Sequence, residues 1–174
     1  MRRRIALAII GAALAASGQL PLAAKAQTCD ADAGMANLDF VVKDMHGQEI
    51  TLSDYRGQVI LLDFWATWCA PCRIEMPWFV EFFDKYESEG FVVLALDVDD
   101  PLDAIQLFAE DFGMDFPVLV GAERDDFKDA YGPPVGYPTA FIIDRQGRIC
   151  KQHTGFTAKE TFEQEIRALL GDSL

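Results

Sequence analysis

The chain has 174 residues, of which 28 are acidic and 15 basic, with a pI of about 4.4. A surface so acidic repels nucleic acid and anionic lipid, which excludes both as expected partners. Apolar residues make up 51% of the chain, enough at this length for one domain with a real core.

Residues 1–26 read as an export signal. Arg2, Arg3 and Arg4 form the charged n-region, Ile5 to Ala16 the apolar h-region, and Ala24-Lys25-Ala26 a small-x-small cleavage site before Gln27. The apolar run is too short to span a bilayer core of about 30 Å comfortably. Cleavage after Ala26 is therefore expected, leaving no stable membrane insertion, with an uncleaved anchor as the alternative. A lipoprotein is a third reading because Cys29 follows soon after, but Gln27 and Thr28 are poor residues to precede a lipidated cysteine. Export would place the mature chain in the periplasm or cell envelope. Without Arg2, Arg3, Arg4 and Lys25, 11 basic residues face 28 acidic ones, a net charge of −17. The acids crowd Asp97 to Asp100, Glu123 to Asp126 and Glu160 to Glu165, as a solvated surface or one that favours basic partners.

Residues 27–37 form an N-terminal arm, and one domain is expected over 38–171. Leu38 to Val42 and Gln48 to Thr51 flank Asp44-Met45-His46-Gly47 and predict a hairpin. Leu52 to Tyr55 predicts a short helical turn. Val59 to Phe64 reads as a strand buried on both faces. A helix from Cys72 to Ser88 carries Ile74, Trp78, Phe82, Phe83 and Tyr86 near helical spacing, and Pro77 is expected to interrupt and kink it. Phe91 to Val98 is the next strand, and Pro101 opens a helix to about Phe112. Pro117 to Val120 predicts a strand and Arg124 to Tyr131 a short helix. Thr139 to Ile143 with Arg148 to Gln152 predicts a second hairpin, and Ala158 to Leu170 a last helix before Gly171. Strands alternating with helices, then a hairpin and a helix, imply an α/β sandwich around a mixed sheet.

Trp65 to Cys72 carries the most specific signal, because Cys69-Ala70-Pro71-Cys72 falls where a strand hands over to a helix. A C-x-x-C there can open and close as a disulfide without disturbing the core, as thiol–disulfide exchange requires. Cys69 at a helix N-terminus would meet free N–H groups and the positive end of the helix dipole, which lower a thiol pKa from about 8.5 into a range of roughly 3.5 to 7.5. Pro71 suits the first turn, where its missing N–H has no intrahelical partner. Cys69 is the expected nucleophile and Cys72, one turn deeper, the resolving thiol. The redox-active pair needs no further cofactor, and no metal is expected. A zinc half-site is the competing reading, but zinc needs four ligands, and Cys29, Cys150, His46 and His153 are scattered singletons.

In an oxidising compartment spare thiols tend to pair. A Cys29–Cys150 bridge would tie the arm to the late strand, stabilising by roughly 4 to 5 kcal/mol on the chain-entropy model. The alternative is two unrelated thiols, with Cys150 a buried apolar residue. His46 and His153 read as ordinary surface residues, one in a turn and one on an exposed strand.

Phe40, Asp44, Gly47, Leu52, Tyr55-Arg56-Gly57, Phe64 to Cys72, Arg73, Glu75-Met76-Pro77, Tyr137-Pro138-Thr139 and Ile143-Asp144 run in an order that resembles the TlpA/ResA-like thioredoxin-fold family. The resemblance covers roughly Leu38 to Leu170. It implies a thioredoxin fold with an N-terminal β-hairpin extension. It also implies an envelope disulfide reductase, serving cytochrome c maturation or copper-centre assembly and re-reduced by a membrane electron carrier. Disulfide-bearing client proteins are then the partners. Pro138 matches the proline that follows a cis peptide bond in such folds, and backbone near Tyr137 would bind substrate as an extended strand. Trp68, Tyr137, Pro138 and Thr139 are the implied substrate-binding residues. Taken alone, Tyr137-Pro138-Thr139 is an ordinary turn before a strand.

Two acids complete the candidate catalytic set. Asp63 stands inside an apolar strand, which is expensive without a task or a partner. It should lie beneath the cysteines. Thioredoxins proper carry an acid at the matching position, whereas the TlpA/ResA-like pattern more often has asparagine. Burial should raise its pKa and make it a candidate general base for Cys72. Glu75, one turn after Cys72, matches the acid of the resembled family, while by position alone it reads equally as a solvent-facing helix residue. Two acids near one thiol pair disfavour the thiolate, and a less stabilised dithiol is a stronger reductant. The competing functions are a disulfide oxidase or isomerase on the same fold, a copper-handling dithiol protein, and a peroxidase.

Overall fold

β3 (Val59–Trp65) is buried along its whole length and forms the middle of the sheet. In this computed structural model, which describes Cys29 and residues 34–122, 124–131 and 136–171, β3 pairs in parallel with β4 (Phe91–Asp97) and antiparallel with β6 (Thr139–Ile143). β5 (Val118–Val120) and β7 (Ile149–Thr154) form the edges, giving the order β5-β4-β3-β6-β7. The predicted export signal lies outside the described residues. Among the described residues no helix is long and apolar enough to cross a membrane.

The N-terminal hairpin forms from β1 (Val41–Lys43) and β2 (Glu49–Thr51). It starts later than its sequence pattern suggests, because Leu38 and Phe40 are drawn into the core and the Phe40 carbonyl accepts from the Leu52 amide. Its turn docks on β5: Asp44 bridges Leu119, and the Met45 amide donates to the Val118 carbonyl at 2.9 Å. The arm behaves similarly at β7, where the Ile149 amide donates to Gly34 and Met35 bridges Arg148.

Helix α1 (Ala70–Tyr86) begins two residues before the predicted start, because Cys69 serves as its N-cap. Pro77 does not split it. The missing amide would serve the Arg73 carbonyl, and both residues lie on the exposed side, where solvent can take its place. The buried face also differs from the expected one. Ile74 is exposed and Trp78 and Phe83 are half-buried, whereas Cys72, Glu75, Met76, Phe79, Phe82 and Tyr86 face inward. Burying Cys72 rotates the helix, and residues three, four and seven positions on follow it.

Helix α4 (Lys159–Leu170) lies beside α1. Phe79 meets Phe162 edge to face at 5.2 Å, and Lys85 and Tyr86 both donate to Glu163. Residues of alternate parity along β3 face the opposite side. There Phe64 meets Phe141 and Tyr131 of α3 (Asp125–Tyr131), and Phe40 stacks on Phe127 at 4.2 Å. Helix α2 (Leu102–Phe112) follows β4 with Pro101 as its N-cap and packs Phe108 against Trp65. The fold is thus a mixed five-stranded sheet flanked by helices, with a two-stranded hairpin on its N-terminal side.

Candidate active site

Cys69 and Cys72 form a disulfide with their Cα atoms 5.3 Å apart. The Cys69 sulfur accepts the Cys72 amide at 3.3 Å, and the Cys69 carbonyl accepts the Arg73 amide. Cys69 retains 3% exposure and Cys72 none, so a partner reaches Cys69 first.

Trp68 is 61% exposed beside this pair, with its Nε1 donating to Asp99 at 3.1 Å. Its ring meets Tyr137 edge to face at 5.9 Å, which brings the 136–139 loop to the C-x-x-C loop. The Tyr137–Pro138 peptide bond is cis. The Pro138 carbonyl accepts the Gly155 amide, and the Thr139 hydroxyl donates to the Gly136 carbonyl, both at 2.8 Å.

The loop before Cys69 is held by acids that look like plain surface in the sequence. Asp100 accepts from the Thr67 amide at 2.6 Å and from the Thr67 hydroxyl at 2.9 Å. Asp97, wholly buried, accepts the amides of Asp99 and Asp100. Its carboxyl is pushed up to about 8, chiefly by burial. Gly121 closes on the Asp97 carbonyl and donates its amide there at 2.7 Å, and a Cβ at this position would collide with that oxygen. The stretch from Asp97 to Asp100 is therefore a brace for the redox loop and only in part a solvated surface. A side-chain acceptor opposite Thr67 leaves no periodic signal by which sequence reading could find it.

Asp63 is fully buried on β3, and neither of its carboxyl oxygens has a hydrogen-bond partner among the described residues. Burial holds its pKa well above the ordinary value, and the neighbouring Glu75 charge adds to the effect. Glu75 is equally buried, so the solvent-facing alternative does not hold. Its Oε1 accepts the Thr157 amide at 2.7 Å, while Oε2 has no partner among the described residues. Burial raises Glu75 to about 7, against the opposing pull of the Thr157 amide and His153. Two carboxyls that prefer their protons thus lie within electrostatic reach of one another, Glu75 one helical turn after Cys72 on α1.

His153 corrects a second expectation. β7 runs two residues further than predicted, so its end passes under α4. The His153 ring meets Phe162 at 5.1 Å, and its Nε2 lies 2.7 Å from Glu165 Oε2, with 17% of the side chain exposed. It is no open-surface residue. His46 is exposed in its turn. Far from the redox pair, Cys29 and Cys150 are joined by a disulfide across 121 positions. Beside them Asp144 accepts the Gln146 and Arg148 amides and the Arg148 guanidinium.

The AhpC/TSA family model matches residues 33–152. The thiol-disulfide oxidoreductase ResA of Geobacillus thermodenitrificans is 41% identical over 132 residues, covering 75% of this chain and 74% of its own. Its Geobacillus kaustophilus counterpart is 40% identical over 133 residues, with the same coverage. A Chlorobium tepidum crystal structure provisionally named thiol:disulfide interchange protein DsbE is 38% identical. It superposes with a TM-score of 0.73 over 80% of this chain and 99% of its own. A second structure from Chlorobium tepidum, a thiol:disulfide interchange protein of the thioredoxin family, is 27% identical. It gives the same TM-score over 82% of this chain and all of its own. The chain belongs to the AhpC/TSA family and, within its thioredoxin-fold members, is a thiol–disulfide oxidoreductase of the ResA/DsbE type.

Proposed function

We propose that the chain is an exported reductase of protein disulfides in the cell envelope. Cys69 attacks a client disulfide and forms a mixed disulfide. Cys72 then gives up its proton, attacks the Cys69 sulfur and releases the client as a thiolate. Asp63, with Glu75 beside it, serves as general base for Cys72. Trp68, Tyr137, Pro138 and Thr139 would seat the client as an extended strand. A membrane thiol donor would reduce the Cys69–Cys72 disulfide again. Clients of cytochrome c maturation or copper-centre assembly fit the family resemblance.

The observation that carries the reducing direction is the buried pair Asp63 and Glu75. Negative charge developing near the dithiol disfavours the thiolate and offsets the helix-terminal effect at Cys69. The reduced form is then less stabilised, which lowers the potential. The Ala70-Pro71 pair adds no basic residue to counter this.

The test is the reduction potential of Cys69–Cys72 in the mature chain, equilibrated against glutathione or dithiothreitol. A value below roughly −220 mV is expected, and one near about −120 mV would make the protein an oxidant and overturn the reading. Replacing Cys69 with serine should bring disulfide reduction to background, and Cys72→Ser should accumulate mixed disulfides.

A further inference from the structure

Asp63 belongs to a row of side chains that crosses three strands. β3 places Asp63 opposite Ala140, and β6 places Ala140 opposite His153. Residues directly opposed in antiparallel strands share one face of the sheet. Opposed Cα atoms are about 4.5 to 5.5 Å apart, so the positions of Asp63 and His153 are separated by roughly 10 Å. Ala140 stands between them with only a methyl group, and Glu75 of α1 lies within electrostatic reach of both. Thr157, in the loop two residues before α4, fixes one Glu75 oxygen with its amide. At the outer end Glu165 holds His153 by Nε2, and both side chains retain some exposure, 17% and 18%. The row therefore runs from a wholly buried acid to a pair that touches water.

Other charged groups bear on His153. Glu165 faces it from α4, Glu75 from α1 and Asp63 from β3, while Lys151 shares its strand face two residues earlier. β6 contributes the uncharged Ala140 and Ile142. Lys159 of α4 is engaged by Glu81.

We propose that His153, oriented by Glu165, is a positioning residue for the redox reaction and completes a proton path from Cys72 through the Asp63–Glu75 pair to the surface. The inference rests on the reductase reading. In the resolving step the Cys72 S–H bond breaks, a Cys69–Cys72 bond forms, and the bond from Cys69 to the client breaks. The client disulfide gains two electrons and the dithiol loses them. The Cys72 proton passes to the buried Asp63–Glu75 pair. Among the described residues Asp63 accepts no hydrogen bond; the charged group within electrostatic reach of it is Glu75, which in turn feels His153. The His153 ring also favours the ionised form of Glu75, which can receive the next proton.

The experiment compares wild type, His153→Gln and Glu165→Gln in single-turnover reduction of insulin from pH 5.5 to 9.5. Iodoacetamide alkylation of Cys69 and thermal melts run alongside. His153→Gln should move the rising limb upward by about half to one pH unit, a roughly 3- to 10-fold loss near pH 6.5 that vanishes at the alkaline end. Glu165→Gln should move it the same way by less, with no upward shift of the Cys69 alkylation profile in either. Superimposed insulin profiles in folded variants would overturn the proposal. If His153→Gln does not fold, NMR titration of the wild-type Glu75 carboxyl decides. A curve that also responds to His153 supports the path, and one blind to it overturns the path. A wild-type protein that does not reduce insulin at any pH would instead remove the reductase reading, and this inference with it.

Discussion

Asp63 and Phe64 are neighbours in β3 and face opposite sides of the same sheet. The Phe64 side is sealed by aromatic rings, with Phe40, Phe127, Tyr131 and Phe141 packed in a continuous cluster. The Asp63 side buries the carboxyls of Asp63 and Glu75 in equally dry surroundings, each with an oxygen that has no partner among the described residues. One face stabilises the fold by burying apolar area, and the other opposes folding to keep ionisable groups beside a dithiol. Burial has opposite consequences for a ring and a carboxyl one residue apart.

The largest expected effect is on the aromatic side. Phe64→Ala should cost about 3 to 5 kcal/mol in chemical denaturation, through lost contacts and a cavity. The reduction potential should not move, and a shift of tens of millivolts would break the division between the faces. The acidic side should respond with the opposite sign. Folded Glu75 keeps its proton up to about pH 7, whereas the unfolded chain releases it near 4.5. The folded state therefore binds more protons in this window, and stability falls as pH rises through it. Glu75→Gln should consequently raise stability by roughly 1 to 3 kcal/mol at pH 8 and change little at pH 4. Asp63→Asn should stabilise in the same direction, since its pKa is also raised, while slowing the resolving step. Urea melts at the two pH values check both, and a gain of equal size at pH 4 would contradict the assignment to ionisation. The smallest effect sharpens the aromatic side. Tyr131 donates its hydroxyl to the Asn37 carbonyl, and Tyr131→Phe should cost about 1 kcal/mol at any pH between 4 and 8.

Much of this was legible before any coordinates. The strand-to-helix placement of Cys69-Ala70-Pro71-Cys72 announced the chemistry, and each strand and helix falls within a few residues of its sequence pattern. Asp63 was legible because a charge inside an apolar strand contradicts its surroundings. Glu75 was legible only by resemblance. The large apolar side chains of its helix, Ile74 and Trp78, pointed to the wrong face, and Trp78 instead meets Phe156 at 5.8 Å near the surface. Helix rotation is set by what packs on it, and a single buried cysteine outweighed two aliphatic and aromatic positions. His153 and the Asp97–Asp100 brace were illegible for another reason. Their meaning comes from strand register and from partners dozens of residues away, which local periodicity does not encode.

The docking of the hairpin turn on β5 has a consequence for how such a protein survives its own substrates. A protein that exchanges disulfides with other proteins meets segments able to add themselves to an open sheet edge. By bridging Leu119 and Val118, residues 44 and 45 occupy that edge before a client can. Backbone pairing with a visitor is thereby denied at this stretch of β5, and edge-to-edge association through it is blunted.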